Sequence, residues 1–467
     1  MNLALFPAIG RAAIGVSRIG HVPEESASSP PKISAGVAKR KQGAFIRMGR
    51  AKELYMRQME QGWSSVGEKW VCAKCFEDEA IREFIDEQAI RKRCSYCRRF
   101  SRRALAAHMD DVIEFIADGI NFEYEDAANS VHWESAEGGY TLATMDSREL
   151  LEDIGLDVES DELREDLRSA FFGCPWVHKD PYGDLLCDAL RYSWESFSEL
   201  VKHRTRFVFF RVTTTDGSIG ESEPYEFLDS LRHTVDETNL VQTIAPRQTW
   251  FRAHQHPAGE TLSGAARLGT PPPKFASHNR MSPAGISMLY VSGDSATALE
   301  EVRSAAASRI AFTIAEFENI RPLRILDLSR IEAVPSLFDE DRRHMRMALI
   351  FLSHFAEEIS KPISDFEKAY EYVPTQVMTE YFRHLFHQPR EIRIPSLPLP
   401  FQNAAIPHPS PATTYIETYL QLDGIAFRSS KRVGGVNYTL FIEPNMCGDS
   451  ATASGVVMLL TGSARQP

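Results

Sequence analysis

Apolar positions change their spacing near residue 200 of the chain. Before that point they recur at helical intervals. Within Glu77–Glu87, Ile81, Phe84 and Ile85 share one face at i, i+3, i+4 and predict a short helix. Val112, Phe115, Ile116, Ile120 and Phe122 form a second stripe, and Leu150, Leu151, Leu163, Leu167 and Phe171 supply later ones. Beyond residue 200 the apolar runs shorten and read as strands: Phe207–Arg211, Ser287–Ser292, Leu323–Leu328, Gly424–Ser429 and Asn437–Ile442. Helices are predicted from Ser295, after the Gly293-Asp294 turn, and over His344–Ile359. Strands mixed with helices and no repeat period point to an α+β domain preceded by a mainly helical one. Arg390–Pro411 is rich in proline and reads as an irregular connection, and Val456–Leu460 as a final strand or a frayed end.

Composition changes this picture only locally. The 467 residues are 43% hydrophobic and 25% charged, ordinary for a soluble protein of two to four domains. Residues 20–50 are rich in Ser, Pro, Ala and Gly and then mildly basic, which suggests a flexible leader over 1–60. The remaining divisions are a helical domain at 61–185, an α+β domain at 200–445 and a tail at 446–467. No run approaches 18 apolar residues, so no transmembrane helix is expected. The apolar start lacks a basic region before it, so a secretory signal is not expected either. A reducing, cytoplasmic location suits the unpaired Cys174, Cys187 and Cys447. The net charge of −12 makes nucleic acid an unlikely partner for the chain as a whole. That charge is concentrated: Asp110–Asp166 holds 19 Asp and Glu against Arg148 and Arg164. This segment is either a set of solvated helical faces or a docking surface for a basic partner, in this chain or another.

Cys72 and Cys75, then eighteen residues, then Cys94 and Cys97 have the spacing of a four-thiolate zinc site. Four protein ligands leave no open position, so such an ion is structural. Lys69, Lys74, Arg91, Lys92, Arg93, Arg98, Arg99, Arg102 and Arg103 crowd round the cluster. They offset thiolate charge, meet the acidic segment or, less favoured, contact nucleic acid.

The second half holds the candidate chemistry. Arg252 follows Trp250-Phe251, and Arg280 sits in the turn Asn279–Gly285. Tyr290 lies on a strand, Glu301 on the next helix, and Ser429 at a strand end before Gly434-Gly435. Arginines fork onto phosphate oxygens, a carboxylate steadies a developing cation, and an aromatic ring stacks on a flat heterocycle. The set suits a phosphate-bearing substrate, although each residue alone is most often structural.

These residues carry a resemblance. Phe251-Arg252-Ala253, Asn279–Gly285, Met288–Tyr290, Thr297–Val302, Tyr372–Glu380 and Asp423–Ser430 with Gly434–Tyr438 follow one another as in the RES domain. The part before them, with its paired cysteines and acidic helices, resembles the HEPN-like domain found ahead of some RES domains. The resemblance implies an ADP-ribosyltransferase-like fold that degrades NAD+ with inorganic phosphate as acceptor, in toxins neutralised by a helix-turn-helix antitoxin. It implies that Arg252 and Arg280 hold the pyrophosphate and the phosphate or ribose, and that Tyr290 stacks on nicotinamide. Glu301 then stabilises the oxocarbenium-like transition state, and Ser429 hydrogen-bonds the ribose or acceptor phosphate. Glu300 is the confusable neighbour, but the family's Thr-Ala-Leu-x-Glu-Val pattern selects Glu301. The chain departs from the family at Asn279, where glycine is usual, and at Met281, where an aromatic residue is usual. Arg103 and His108 have the spacing of a HEPN nuclease motif without its helical setting, and no nuclease is inferred. Transfer of ADP-ribose to a protein or nucleotide, and a zinc-bearing module that binds nucleotide without turnover, are the alternatives.

Overall fold

The computed structural model describes residues 62–211, 226–303, 310–386, 388–394 and 414–466. The expected leader at 1–60 lies outside them.

The N-terminal region is mostly helical and begins with strand β1 (Trp70–Cys72). Helix α1 (Glu79–Gln88) starts at Asp78, whose carboxylate accepts from the Ile81 amide at 3.0 Å, and it buries Ile81 and Ile85 as their spacing predicts. Strand β2 (Ala106–His108) pairs antiparallel with β1, Trp70 opposite His108. Helix α2 (Met109–Glu123) buries Val112, Ile113, Ile116 and Ile120, and its Phe115 stacks on Phe84 of α1 at 4.3 Å. Phe122 departs from the predicted stripe: it is 39% exposed and lies under the Arg343 guanidinium. Helix α3 (Ser147–Asp153) opens with a capping box between Asp146 and Glu149, and α4 (Asp161–Ala170) buries Leu163 and Leu167.

Helix α5 (Leu186–Glu199) continues through a π turn at Leu200–Arg204. The run Phe207–Arg211 is therefore not the expected strand. Phe209–Arg211 is one 3₁₀ turn, with Phe209 packed edge-on against Phe197 of α5 and Phe207 84% exposed. The run has no apolar–polar alternation, and its one inward ring joins a helical core. Helix α6 (Phe227–Glu237) follows.

The second half is built on a nine-stranded mixed sheet. Its strands in chain order are β3 (Val241–Ile244), β4 (Thr249–Pro257), β5 (Leu289–Ser292), β6 (Ile310–Asn319), β7 (Leu323–Asp327), β8 (Gly424–Arg428), β9 (Val436–Leu440), β10 (Cys447–Gly448) and β11 (Met458–Gln466). In space they run β10-β11-β6-β4-β5-β9-β8-β7-β3. Only β7–β8 and β10–β11 are parallel. The segment after residue 446 thus supplies two strands, β11 pairing with β6 from Phe312–Gln466 to Asn319–Met458; of the two readings of Val456–Leu460, a final strand or a frayed end, the structure has the strand, and it starts at Met458. Helix α7 (Ser295–Val302) starts at the Asp294 cap and packs Ala298 against Ala253 and Ile314. Helices α8 (Arg346–Ser360) and α9 (Val373–His384) join α5 and α6 in an aromatic-rich core around Trp194, Phe227 and Phe355. The proline-rich stretch is regular at its start: Gln388–Ile394 pairs antiparallel with Thr414–Leu420, and residues 395–411 lie outside the described ones.

The two halves share a core. Leu337 and Phe338, from the loop after β7, are buried among the side chains of the N-terminal helices. A Cβ on Gly119 of α2 would lie 2.4 Å from the Phe338 ring, so α2 admits that ring only because residue 119 is glycine. Ser336 donates to Asp78 at 2.6 Å, Arg343 pairs with Asp118 at 2.9 Å, and Arg346 with Glu123 at 3.2 Å. Part of the acidic segment therefore meets a basic partner within its own chain.

Candidate active site and metal centre

β1, the turn after it and the loop ahead of β2 bring the four expected cysteines together. The sulfur atoms of Cys72 and Cys75 are 3.8 Å apart, Cys72 and Cys97 3.5 Å, and Cys75 and Cys94 3.7 Å. All four lie within 4.8 Å of one another. Sulfurs about 2.3 Å from one tetrahedral ion are about 3.8 Å apart, so the donor set and its edges fit Zn²⁺ with no position left for a substrate. Around it, Lys69 pairs with Asp166 at 2.5 Å and Glu162 at 3.2 Å, and Tyr96 donates to Asp166 at 2.8 Å. Burial and that carboxylate push the Tyr96 phenol well above its ordinary range. Arg103 is exposed, and His108 caps α2 through Nδ1 while its ring packs edge-on to Trp70. Their spacing in sequence does not make a shared site.

A cavity of about 810 Å³ opens above the centre of the sheet, where β4, β5 and β9 meet α7. Arg252, Arg280, Tyr290 and Glu301 all line it, together with Asn437 and Tyr372. Ser429 stands behind Glu301 at the end of β8.

Glu301 occupies the last turn of α7, facing the cavity, whereas Glu300 turns away to pair with Arg303 at 2.5 Å. Oε1 of Glu301 accepts from Ser429 Oγ at 2.5 Å and from Asn437 Nδ2 at 2.7 Å. Asn437 is itself oriented by Ser292, its cross-strand neighbour, whose hydroxyl donates to Asn437 Oδ1 at 2.8 Å. The Ser429 oxygen accepts the Lys431 and Arg432 amides at 3.2 and 3.1 Å, and the Lys431 ammonium donates to the Glu301 carbonyl. Two donors thus clamp one carboxylate oxygen. Among the described residues no hydrogen bond falls on Oε2.

Arg252 lies on β4 opposite Ala315 of β6. Its Nη1 donates to the Tyr290 carbonyl at 3.1 Å, and its Nε sits 3.0 Å from His254 Nε2, two residues along the same strand face. Burial lowers the Arg252 pKa to about 10, which leaves it protonated at neutral pH. The same burial, with the Arg252 charge, lowers His254 to about 4. His254 Nε2 also lies 2.8 Å from the Leu268 carbonyl, and one ring nitrogen cannot accept from arginine and donate to carbonyl at once, so the tautomer chooses between them.

Arg280 caps the end of α8, donating at 2.6 Å to each of the Ile359 and Lys361 carbonyls, and lies 5.1 Å over the Tyr372 ring. Burial lowers its pKa, opposed by Tyr372 and Glu301. A guanidinium has five N–H donors, so both arginines keep some for a ligand. The loop around Arg280 is fixed from α9: Thr375 donates to the Arg280 carbonyl at 2.6 Å and Gln376 to the Asn279 carbonyl at 2.7 Å. Of the two departures from the family pattern, Asn279 lines the cavity and Met281 is fully buried in the helical core. Tyr290 donates or accepts with Ser282 Oγ at 2.8 Å, and burial pushes its phenol up to about 12.

Sequence reasoning gave no role to His254, Asn437, Tyr372 or Phe275, whose exposed ring lines the cavity. Asn437 and Tyr372 stood in the stretches that carry the resemblance without being singled out, and His254 had only its i, i+2 spacing from Arg252.

The RES domain model matches residues 249–419, and that of HEPN/RES N-terminal domain 1 matches residues 87–215. The chain carries both domains. The first span includes Arg252, Arg280, Tyr290 and Glu301 but ends before Ser429, and the second begins after Cys72 and Cys75. No curated protein and no solved structure matches the chain. No helix among the described residues is long and apolar enough to cross a membrane.

Proposed function

We propose that this RES-domain chain degrades NAD+ by breaking the nicotinamide–ribose bond and passing the ADP-ribosyl group to inorganic phosphate. RES-domain membership points to NAD-related, ADP-ribosyltransferase-like activity at the family level. The observation that carries the finer reading is Glu301, a carboxylate clamped on one oxygen and standing at a cavity flanked by two half-buried arginines.

Arg252 and Arg280 bind the pyrophosphate and the incoming phosphate, each already oriented by backbone carbonyls. Tyr290 packs on the nicotinamide ring. As the C1″–N bond breaks, nicotinamide leaves with the bonding electron pair and positive charge develops on the ribose. The Glu301 carboxylate stabilises that charge, an electrostatic contribution that is preorganised because Ser429 and Asn437 hold it beforehand. A phosphate oxygen then closes on C1″ to give ADP-ribose-1″-phosphate. In this arrangement Ser429 acts through Glu301, since its hydroxyl proton already lies on that carboxylate. The cysteine cluster binds Zn²⁺ and stabilises the N-terminal region without entering the reaction. A cytoplasmic toxin restrained by a helix-turn-helix antitoxin belongs to the same reading.

Incubating the purified protein with NAD+, with and without phosphate, tests it by the masses of the products. ADP-ribose-1″-phosphate formed only with phosphate is the expected result. ADP-ribose in both reactions makes the enzyme a hydrolase, and a mass gain on a protein or nucleotide makes it a transferase. Intact NAD+ beside folded, zinc-loaded protein leaves a nucleotide-binding module and overturns the enzyme. Glu301→Gln keeps an acceptor for Ser429 and is expected to lower turnover by about 10²–10³-fold with little change in stability.

A further inference from the structure

The basic rim of the cysteine cluster divides in the structure. Lys69 meets the acidic helix α4, and Arg91 lies over Trp70 at 4.7 Å. Arg93, Arg98, Arg99, Arg102 and Arg103 instead face solvent, and among the described residues none of the five takes part in an ion pair. They lie on one short tract, the hairpin that carries Cys94 and Cys97. Its two arms are held by Cys94 N to Arg99 O at 3.0 Å and Ser101 N to Lys92 O at 2.9 Å. Arg93 and Phe100 face one another across it as a bridge pair, and Phe100 is 68% exposed. Ile90, at the foot of the same tract, is 70% exposed. A largely exposed aromatic ring among arginines contributes little to a core.

Arg98, the residue after the last cysteine of the cluster, has φ 58°. L residues other than glycine, asparagine and aspartate seldom adopt that region, and glycine would turn the chain there without strain. Here the left-handed residue serves the hairpin itself, turning the chain so that the Cys94 amide reaches the Arg99 carbonyl, while the Arg98 side chain stays exposed.

We propose that this arginine-rich hairpin docks single-stranded nucleic acid, its guanidiniums on phosphates and Phe100 on an unpaired base. The charge is complementary to a phosphate backbone and opposite to the −12 of the chain. A duplex fits less well. Its base faces are covered, and the hairpin, joined by a single bridge pair, is neither a helix nor a two-stranded ribbon long enough to enter a major groove. The whole-chain charge made nucleic acid an unlikely partner; the rim's freedom from the acidic segment reverses that for this one surface.

The test is fluorescence anisotropy of the full, zinc-loaded protein with a labelled oligouridylate of about twelve nucleotides, titrated between about 50 and 200 mM salt. Binding is expected to weaken linearly on a log–log salt plot. The triple variant Arg93→Gln, Arg99→Gln, Arg102→Gln should lower that slope by about 2, near 0.7 per cation removed on a single strand. Phe100→Ala should weaken binding at least about fivefold and leave the slope unchanged. All four positions are exposed, so zinc content and melting temperature serve as folding controls. The proposal is overturned by absence of binding at the lowest salt, by equal affinity for a duplex of the same length, or by an affinity unmoved in both variants. Tighter binding of polyglutamate than of the oligonucleotide overturns it in favour of an acidic protein partner.

Discussion

At the scale of single residues, His254 ties the candidate site to pH. Its folded pKa is about 4 against 6.5 for the free side chain, because burial and the Arg252 charge both oppose protonation. The unfolded chain therefore binds the proton first. Above pH 6.5 His254 is neutral in both states and costs nothing. As the pH falls from 6.5 to 4 the unfolded state gains a proton that the folded state refuses, and stability drops by about 3 kcal/mol before levelling off. His254→Gln removes that titration, so its loss of stability between pH 7 and pH 4, measured by urea midpoints, should be smaller by about that amount. Its i, i+2 spacing puts His254 beside Arg252 on one strand face, but no strand was predicted over that stretch and the pair went unread. Glu301 was chosen over Glu300 by its likeness to the family's Thr-Ala-Leu-x-Glu-Val pattern; the roughly 100° between adjacent helical residues says that one of the two can face a cavity, not which one. Asn437 was not legible. Its grip on Glu301 depends on lying opposite Ser292 across β9 and β5, a register that no local pattern prints.

At the scale of elements, the packing of α7 on the turn before β9 sets where Glu301 stands. Gly435 in that turn is tight against α7: a Cβ there would lie 2.6 Å from Thr297 Oγ1, and Thr297 is fully buried. Thr297 also accepts from Arg432 at 2.8 Å and donates to the Asp294 cap at 2.6 Å, so it has no room to yield. Gly435→Ala is expected to cost about 1–3 kcal/mol by overpacking. It should also cut turnover, because pushing the turn off α7 moves Ser429 from Glu301; thermal unfolding and initial rates check the two effects separately. Arg280→Lys loses the fork that caps α8 and should cost about 1.5–3 kcal/mol, with a raised KM for phosphate. Elements with their own signal were readable: β5, β7 and α7 stand where short apolar runs and the Gly293-Asp294 turn put them. Phe207–Arg211 misled because apolar content without alternation cannot tell a strand from a turn packed on a helix. The order of the nine strands had no local signature.

At the scale of the molecule, the N-terminal region and the RES half are joined by a plug. Leu337 and Phe338 are 2% and 3% exposed in a core whose other members come from the N-terminal region, including Cys72, Cys75 and Cys94. The cysteine cluster and the plug therefore belong to the same core. Ion pairs from Arg343 and Arg346 to Asp118 and Glu123 surround it, which is where part of the acidic segment's charge is answered. Burial raises the Glu123 pKa even beside Arg346, so desolvation offsets much of what that one pair contributes. Phe338→Ala should remove about 3–5 kcal/mol from that contact. Calorimetry of the zinc-loaded protein is expected to give one transition, and the variant two, with the N-terminal region melting first. If the cluster holds zinc, chelating it from the unaltered protein should give the same split, since the cysteines then take up protons and the ion no longer ties the two CxxC segments together. If instead the N-terminal region melts alone in the unaltered, metal-loaded protein, the plug does not couple the halves. NAD+ turnover measured across the first transition then tells whether the RES half works without its N-terminal partner or is held in shape by it.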